Sequence, residues 1–137
     1  MTIDVSTQNS EQKTAQQIRL GTSIMAILDN WKLSGEEILS VLSLPDNIKV
    51  RHLGQYRKDR ALPDTEQVNK RVGHIIGITE ALHTSYPTNP HMAQFWLNKK
   101  TKRFKDKTPL EVITTGGLEG LIDIRKHLDC SYDWFND

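Results

Sequence analysis

The sequence predicts an all-α protein in which a helix-turn-helix region is packed with a carboxy-terminal helical domain. Apolar residues recur at intervals of three and four in several segments, which is the spacing of one face of an α-helix. Ser, Thr or Asn stands before these segments and Pro or Gly after them, as is typical of helix starts and stops. No segment has the alternation of apolar and polar residues that indicates a β-strand.

Two helices are predicted in the first third of the chain. Residues 1–13 are rich in Ser, Thr and Gln, and we expect a flexible amino-terminal arm there. The first helix covers residues 14–32, with an apolar face formed by Ile18, Met25, Leu28 and Trp31. Ser34 and Glu37 have the spacing of a capping box, in which each side chain bonds the backbone amide of the other. They start a short second helix, which Pro45 ends.

A third helix is predicted three or four residues after the second. Asp46 would cap it, because an aspartate carboxylate accepts hydrogen bonds from the free amides of a first turn. Its buried residues would be Val50, Leu53 and Tyr56.

A long helix is predicted from an Asp64 cap, with Gln67, to Pro87. Its apolar face consists of Val68, Val72, Ile75, Thr79, Leu82 and Tyr86. Gly73 and Gly77 lie one turn apart within it. Because glycine lowers helix propensity, we expect another helix to pack closely against these two positions.

Three further helices are predicted after Pro87. Asn89 and Pro90 start a short one that contains Met92, Phe95 and Trp96. The segment Thr108-Pro109-Leu110-Glu111 combines a cap, a first-turn proline and a capping-box glutamate, and it starts the second. Gly116-Gly117 ends that helix. The last helix carries Leu118, Leu121, Ile122, Arg125 and Leu128.

Charged residues are segregated along the chain, although the net formal charge is only +1. Residues 46–60 contain five basic and two acidic residues, and residues 99–107 contain six basic residues and one acidic residue. Residues 111–137 contain six acidic and two basic residues. Charge runs are often merely solvated surface, but this segregation also provides basic and acidic surfaces for different partners.

The composition favours a soluble cytoplasmic protein. No apolar run approaches the roughly 18 residues that indicate a membrane-spanning helix, and the first residues lack the features of a secretory signal. Cys130 is the single cysteine, so no internal disulfide can form. We therefore expect a reducing compartment and no membrane association.

The second and third predicted helices have the layout of a helix-turn-helix, whose second helix enters the major groove of DNA. Candidate base contacts, which lie off the buried face, are Asn47, Arg51 and Gln55. Candidate phosphate contacts are Lys49, Arg57, Lys58 and Arg60. Ser43 stands where such turns often have glycine, and any amphipathic helix pair gives a similar pattern. On these residues alone, a DNA-binding helix-turn-helix and an ordinary amphipathic helix pair both stay open.

The second half also contains a series of short motifs in a fixed order. They are Arg71-Val72, Ile75-Ile76, Ala81-Leu82-His83, Tyr86-Pro87, Ala93, Trp96-Leu97-Asn98, Phe104, Thr108-Pro109-Leu110-Glu111, Gly116-Gly117-Leu118, Arg125 and Leu128-Asp129. Upstream, Trp31, Leu33-Ser34 and Glu36-Glu37 extend the series. This series resembles the Xre/MbcA/ParS antitoxins over nearly everything after residue 13. Tyr56 stands where the family often has tryptophan, and the loop before Thr108 is unusually basic.

The resemblance implies the antitoxin of a type II toxin–antitoxin system. Such antitoxins have an Xre-like DNA-binding region that represses their own operon. They also have a carboxy-terminal domain that binds a toxin of the RES fold, which consumes NAD or transfers ADP-ribose from it. By this resemblance residues 14–63 would bind operator DNA, residues 64–130 would bind toxin or dimerise, and residues 131–137 would be a tail.

The tail would cover the active site of the toxin. Its candidate toxin-binding residues are Tyr132, Asp133, Trp134, Phe135 and Asp137. Rings and acidic groups suit a cleft that otherwise holds the adenine and phosphates of NAD, and buried aromatic residues are effective interface anchors. In the alternative, Trp134 and Phe135 fold back onto the core. The basic loop, residues 99–107, would touch toxin, DNA phosphate or only solvent.

No catalytic, metal or cofactor site is predicted. The five histidines lack paired metal-ligand spacing, and no nucleophile motif or phosphate-binding glycine loop is present. Two alternatives to the antitoxin remain: a free-standing dimeric helix-turn-helix regulator, and an interaction module without DNA affinity. Symmetric reading of an operator requires a homodimer, whose interface either the Gly73–Gly77 helix or the Trp96 region would supply.

Overall fold

The computed structural model describes the backbone of residues 5–135 and the side chains of residues 10–130. Within that backbone the chain forms only helices, apart from an isolated antiparallel bridge between Thr101 and Lys107. The predicted all-α fold is confirmed. The α-helices are α1 (Val5–Asn30), α2 (Gly35–Leu42), α3 (Leu53–Lys58), α4 (Glu66–Ser85), α5 (Pro90–Leu97), α6 (Pro109–Thr115) and α7 (Gly117–Phe135), and the 3-10 helices are Val50–His52 and Lys102–Phe104. None of the described helices has an apolar stretch long enough to cross a membrane.

Side-chain caps start α2 and α6. The Ser34 hydroxyl accepts a hydrogen bond from the Glu37 amide at 3.2 Å, and the Glu37 carboxylate accepts one from the Ser34 amide at 2.8 Å. The predicted capping box is therefore confirmed. At α6 the Thr108 hydroxyl accepts from the Glu111 amide at 3.0 Å, but the described bonds include none from the Thr108 amide to the Glu111 carboxylate. That box is only half formed.

The starts of α4 and α5 differ in how well the sequence predicts them. Asn89 caps α5, as predicted, by accepting from a backbone amide. The prediction that Asp64 caps α4 is wrong, because Thr65 is the cap and accepts from the Val68 amide at 3.2 Å. The Asp64 carboxylate instead accepts from the side-chain amide of Asn69 at 2.8 Å.

Helices α1 and α7 are longer than the sequence predicts. The α1 backbone begins at Val5, so most of the segment expected to be a flexible arm is helical. The α7 backbone continues to Phe135, within the predicted tail. Neither glycine nor proline stands between Val5 and Leu20 or after Gly120, so no strong stop signal limits either helix.

One hydrophobic core joins the two halves of the chain. Helix α4 packs along α7, and α2 contacts α4, α6 and α7. Fully buried side chains come from both halves and include Leu28, Leu42, Leu53, Ile75 and Leu121. The region expected to bind DNA and the region expected to bind a partner therefore share their interior.

The apolar faces of α1 and α4 are wider than predicted. Ile24 and Ile78 are fully buried beside the stripes that omitted them. Ile18 and Thr79, which were part of those stripes, are half-buried. A core-facing helix buries an arc of about 100° or more, so it covers more positions than a single row of threes and fours.

The two glycines of α4 have different surroundings. A Cβ on Gly77 would overlap the guanidinium group of Arg125 in α7, which confirms the predicted close packing at this position. A Cβ on Gly73 would meet nothing within 4 Å, so the prediction is wrong there. After α6, Gly116 is the cap and Gly117 has a φ of 61°, so this glycine pair ends the helix as predicted.

Candidate functional site

The turn of the helix-turn-helix region is longer than predicted. Residues 43–49 separate α2 from the 3-10 helix Val50–His52, in place of three or four residues. Ser43 ends α2 with a φ of 53°, a left-handed conformation that is more often given to glycine. The Ile48 amide then donates to the Pro45 carbonyl at 3.0 Å and closes a second turn.

Asp46 lies in this second turn, so the prediction that it caps the third helix is wrong. The helical segment begins at Val50, where the Lys49 amide donates to Nδ1 of His52 at 2.9 Å. The His52 ring thus bonds back to the residue before the helix. Sequence reasoning missed this role, because helix starts are recognised by Ser, Thr, Asp and Asn.

Val50 lies at the rim of the core. It is 41% exposed, so its predicted burial is wrong, whereas Leu53 and Tyr56 are buried as predicted. Val50 packs beside the start of α2, since a Cβ on Gly35 would come within 2.5 Å of its Cγ1.

All seven candidate DNA contacts are exposed, but they do not lie on one helix. In chain order they are Asn47 and Lys49 in the turn, Arg51 in the 3-10 helix, Gln55, Arg57 and Lys58 in α3, and Arg60 just after α3. The placement of Asn47 and Lys49 on the recognition helix is therefore wrong, because that helix starts later than an Asp46 cap would allow.

Arg57 is bound to another helix. Its Nε and Nη2 donate to the two carboxylate oxygens of Asp29 in α1, each at 2.9 Å. The hydrogen bond to Asp29 raises the pKa of Arg57, which stays a cation. A bidentate pair of this kind links α1 to α3 and partly neutralises the guanidinium. Arg57 is thus less available to a phosphate than the sequence suggested.

Gln55 and Arg60 also have partners within the chain. Nη1 of Arg60 donates to the side-chain carbonyl of Gln55 at 2.7 Å. The guanidinium of Arg60 lies 5.4 Å from the centre of the Tyr56 ring, in cation–π geometry. The oxygen with which Gln55 would accept a hydrogen bond from an adenine amino group therefore already accepts one from Arg60.

Two of the candidates lie together on an open groove. Lys49 and Arg51 line a cavity of about 750 Å³ between α2 and the turn. The carboxylates of Glu36 and Asp46 line the same groove, so its positive charge is partly balanced. Within the described side chains, Lys49, Arg51 and Lys58 form no ion pair. They are the cations of this region that are best placed to meet phosphate.

In the second half, Arg125 connects α7 with α4. Its guanidinium lies across Gly77, and its Nη1 is 3.3 Å from Nδ1 of His74. Partial burial, together with the charge of Arg125, lowers the pKa of His74. A neutral His74 ring can accept the hydrogen bond from Arg125. Because residue 77 is glycine, no Cβ occupies the space that the guanidinium fills.

His127 of α7 lies between two aromatic rings. The Trp96 ring stacks on it with centroids 5.8 Å apart, and the Phe104 ring meets it edge-on at 5.3 Å. Burial, and secondarily the charge of Arg103, lowers the pKa of His127. Sequence reasoning missed this contact, since only the next residue, Leu128, fits the apolar spacing. His127 joins α5, the basic loop and α7 at one point.

The basic loop, residues 99–107, has a defined conformation. The Thr101 amide donates to the Lys107 carbonyl at 3.3 Å, and the Asp106 amide donates to the Thr101 carbonyl at 2.9 Å. Lys105 and Asp106 have φ values of 57° and 65°, which place both in the left-handed region. Phe104 is half-buried. The six basic residues of the loop are exposed, and they are Lys99, Lys100, Lys102, Arg103, Lys105 and Lys107.

The predicted toxin-binding residues lie outside the described side chains. They are Tyr132, Asp133, Trp134, Phe135 and Asp137. The backbone of residues 131–135 belongs to α7, which is described as helical to Phe135. The role of these residues stays a prediction, as does the alternative that Trp134 and Phe135 fold back.

Helix α5 has an exposed apolar face. Phe95 is 61% exposed and Met92 is 42% exposed. A cavity of about 290 Å³ lies nearby, between the ends of α1 and α4 and the inner side of α5. Trp31 and Tyr86 are among its lining residues. The sequence placed Phe95 in an aromatic helix but did not indicate which of its rings faces outward.

Comparison of the chain with protein-family models and with curated proteins found no significant match. Among the described side chains, no three His, Cys, Asp or Glu residues are grouped as metal ligands would be.

Proposed function

We propose that this chain is the antitoxin of a type II toxin–antitoxin pair, which binds a RES-type toxin through its second half and represses its own operon through its first. The toxin would consume NAD or transfer ADP-ribose, and the antitoxin would cover its active site in the cytoplasm. The proposal rests on the resemblance of the second-half motifs to the Xre/MbcA/ParS antitoxins.

The observation that supports it is that motifs far apart in sequence are neighbours in space. Arg125 lies on Gly77, and Trp96 and Phe104 both contact the residue two positions beyond Arg125. The Gly116-Gly117 pair gives the bend from which α7 returns along α4. These motifs therefore belong to one structural unit, as a scaffold shared by a family requires.

The scaffold also suits a tail that blocks a cleft. Residues 131–135 continue α7, so their backbone extends from a helix that is packed on α4 over its earlier turns. A segment whose backbone is already helical loses less conformational entropy on binding than one that must first become ordered.

The DNA-binding half of the proposal depends on Lys49, Arg51 and Lys58. These exposed cations belong to the segment that follows α2, and two of them share the groove beside it. Operator binding as a homodimer would place two such segments on successive turns of the duplex.

A free-standing dimeric regulator is the second candidate. The exposed Met92 and Phe95 of α5 favour it, because two apolar side chains on one short helix are a surface that a second copy can cover.

Co-expression with the product of the neighbouring gene separates the two. For an antitoxin, the two proteins co-purify, the mass of the complex gives their ratio, and the chain restores growth to cells that express the neighbour alone. If no complex forms and growth is not restored, while the isolated chain still represses its promoter as a dimer, the regulator is correct and the antitoxin is refuted.

A further inference from the structure

The basic loop is the densest run of basic residues in the part of the chain whose side chains are described. Six of its nine residues are Lys or Arg, and all six are exposed. Asp106 is its single acidic residue. None of the six cations takes part in an ion pair with a described side chain.

Backbone hydrogen bonds and the inward-facing Phe104 ring hold the loop in one conformation. The bridge between Thr101 and Lys107 closes it, and amides of Phe104, Lys105 and Asp106 bond to carbonyls within it. Phe104 points into the protein and meets His127. The cations therefore project from a fixed backbone, and binding an anionic partner does not require the loop to be ordered first.

Two consecutive non-glycine residues of the loop, Lys105 and Asp106, are left-handed. Such conformations are unfavourable for ordinary side chains, and they concentrate at functional segments. In a loop that only connected α5 with α6, glycine at either position would avoid this conformational cost.

The chemistry of the loop favours a nucleic-acid backbone over a protein surface. Five of its six cations are lysines, which are depleted in protein interfaces but bind phosphates as point charges. Its one aromatic ring, Phe104, is turned inward, so no exposed ring is available as an interface anchor or as a platform for an unpaired base. Duplex phosphate is the ligand class that needs only such charges.

We infer that the basic loop, residues 99–107, binds the phosphate backbone of duplex DNA without reading its sequence. It is separate in sequence from the segment that follows α2. It acts whether or not the chain recognises an operator, so it does not depend on the proposed function.

The test uses the full chain and two duplexes of equal length, one with its own promoter and one with a scrambled sequence. Affinity is measured by fluorescence anisotropy from low to moderate salt. Lys100→Gln/Lys102→Gln removes two charges from the loop. Lys13→Gln/Lys32→Gln removes two exposed lysines elsewhere that likewise form no ion pair with a described side chain, and it is the matched control. Circular dichroism verifies that both variants are folded.

The loop variant is expected to bind both duplexes about tenfold or more weakly at low salt. Its slope of log affinity against log salt should fall by about 0.9 for each phosphate that the loop no longer neutralises. The control should keep the slope of the unmodified chain. Equal losses of affinity from the two variants would mean that only net charge matters, and they would overturn the inference.

Two further outcomes also overturn it. The first is that the unmodified chain binds neither duplex, and the second is that the loop variant keeps its DNA affinity but no longer binds the neighbouring gene product, which makes the loop a protein-binding surface. Failure of the proposed operator recognition gives a different result from failure of the loop inference. If the loop variant loses affinity while the unmodified chain shows no preference for its promoter, the loop inference stands and operator recognition does not.

Discussion

The guanidinium of Arg125 occupies the space above Gly77 that a Cβ would fill, and it reaches His74 on the preceding turn of α4. The other glycine of this helix, Gly73, has open space around it. The same substitution at these two positions therefore tests the contact directly.

Gly73→Ala is expected to stabilise the protein by about 0.5–1 kcal/mol, because alanine has the higher helix propensity and nothing obstructs its methyl group. Gly77→Ala should show no such gain, since the methyl group displaces Arg125 and removes its contact with His74. Urea unfolding measures both. Equal stabilisation by the two substitutions would show that the Arg125 contact contributes nothing.

Gly120→Ala is expected to destabilise the protein by about 1–3 kcal/mol, the usual cost of overpacking. Its Cβ would overlap the carbonyl oxygen of Val112, and a backbone atom cannot move aside as the end of an arginine can. Thermal unfolding of this variant beside Gly73→Ala gives the comparison. A Tm equal to that of the unmodified chain would contradict the close approach of α6 and α7.

The stability of the protein should fall in mildly acidic solution. Burial and Arg103 lower the pKa of His127 in the folded chain, so the unfolded chain binds the proton more tightly. This contribution is complete above the unfolded pKa of about 6.5, and it is lost as the pH falls from there through the lower folded pKa. The lowered pKa of His74 acts in the same direction.

His127→Phe keeps an aromatic ring against Trp96 and cannot be protonated, so its free energy of unfolding should depend less on pH between about 5 and 7. The control is His91→Gln, at the exposed start of α5. Denaturant unfolding at a series of pH values is the measurement. An identical pH profile for His127→Phe and the unmodified chain would rule His127 out as the source.

Arg51→Ala and Lys58→Ala are each expected to weaken binding to the chain's own promoter. Each should also lower the slope of log affinity against log salt by about one, because one phosphate contact is lost. Arg57→Ala should have a smaller effect on affinity, because its charge is paired with Asp29. It should cost up to about 1 kcal/mol of stability, as exposed ion pairs do. A gel-shift series measures the affinities. The groove assignment is refuted if Arg51→Ala and Lys58→Ala bind like the unmodified chain.

Removal of residues 131–137 is expected to abolish toxin neutralisation and to leave promoter binding unchanged, because rings and acidic groups are concentrated in this segment. Survival of cells that express the toxin gives the first readout, and a gel shift gives the second. Full protection by the shortened chain would mean that the tail is not the inhibitory segment.

The sequence predicted those features that depend on neighbouring residues. The Ser34–Glu37 box, the Asn89 cap and the Gly116-Gly117 stop are local, and all three are confirmed. Asp64 failed as a cap because Thr65 beside it offers an equally suitable oxygen. Local rules do not choose between two adjacent candidates.

The rest depends on contacts between distant segments. Asp29 and Arg57 are 28 positions apart, and His74 and Arg125 are 51 apart, so periodicity gives no sign of either pair. The two glycines of α4 look alike in sequence, and only the course of α7 distinguishes them. The candidate DNA contacts are exposed, but they do not share one helix as predicted, because that helix starts later than expected.

The shared interior has a thermodynamic consequence. Leu42 of α2 and Leu121 of α7 belong to one core, so neither half can open without exposing apolar surface of the other. A ligand that binds only the folded chain therefore protects both halves by RT ln(1 + [L]/Kd), wherever it binds. By the same linkage, a partner held on the second half slows degradation of the first.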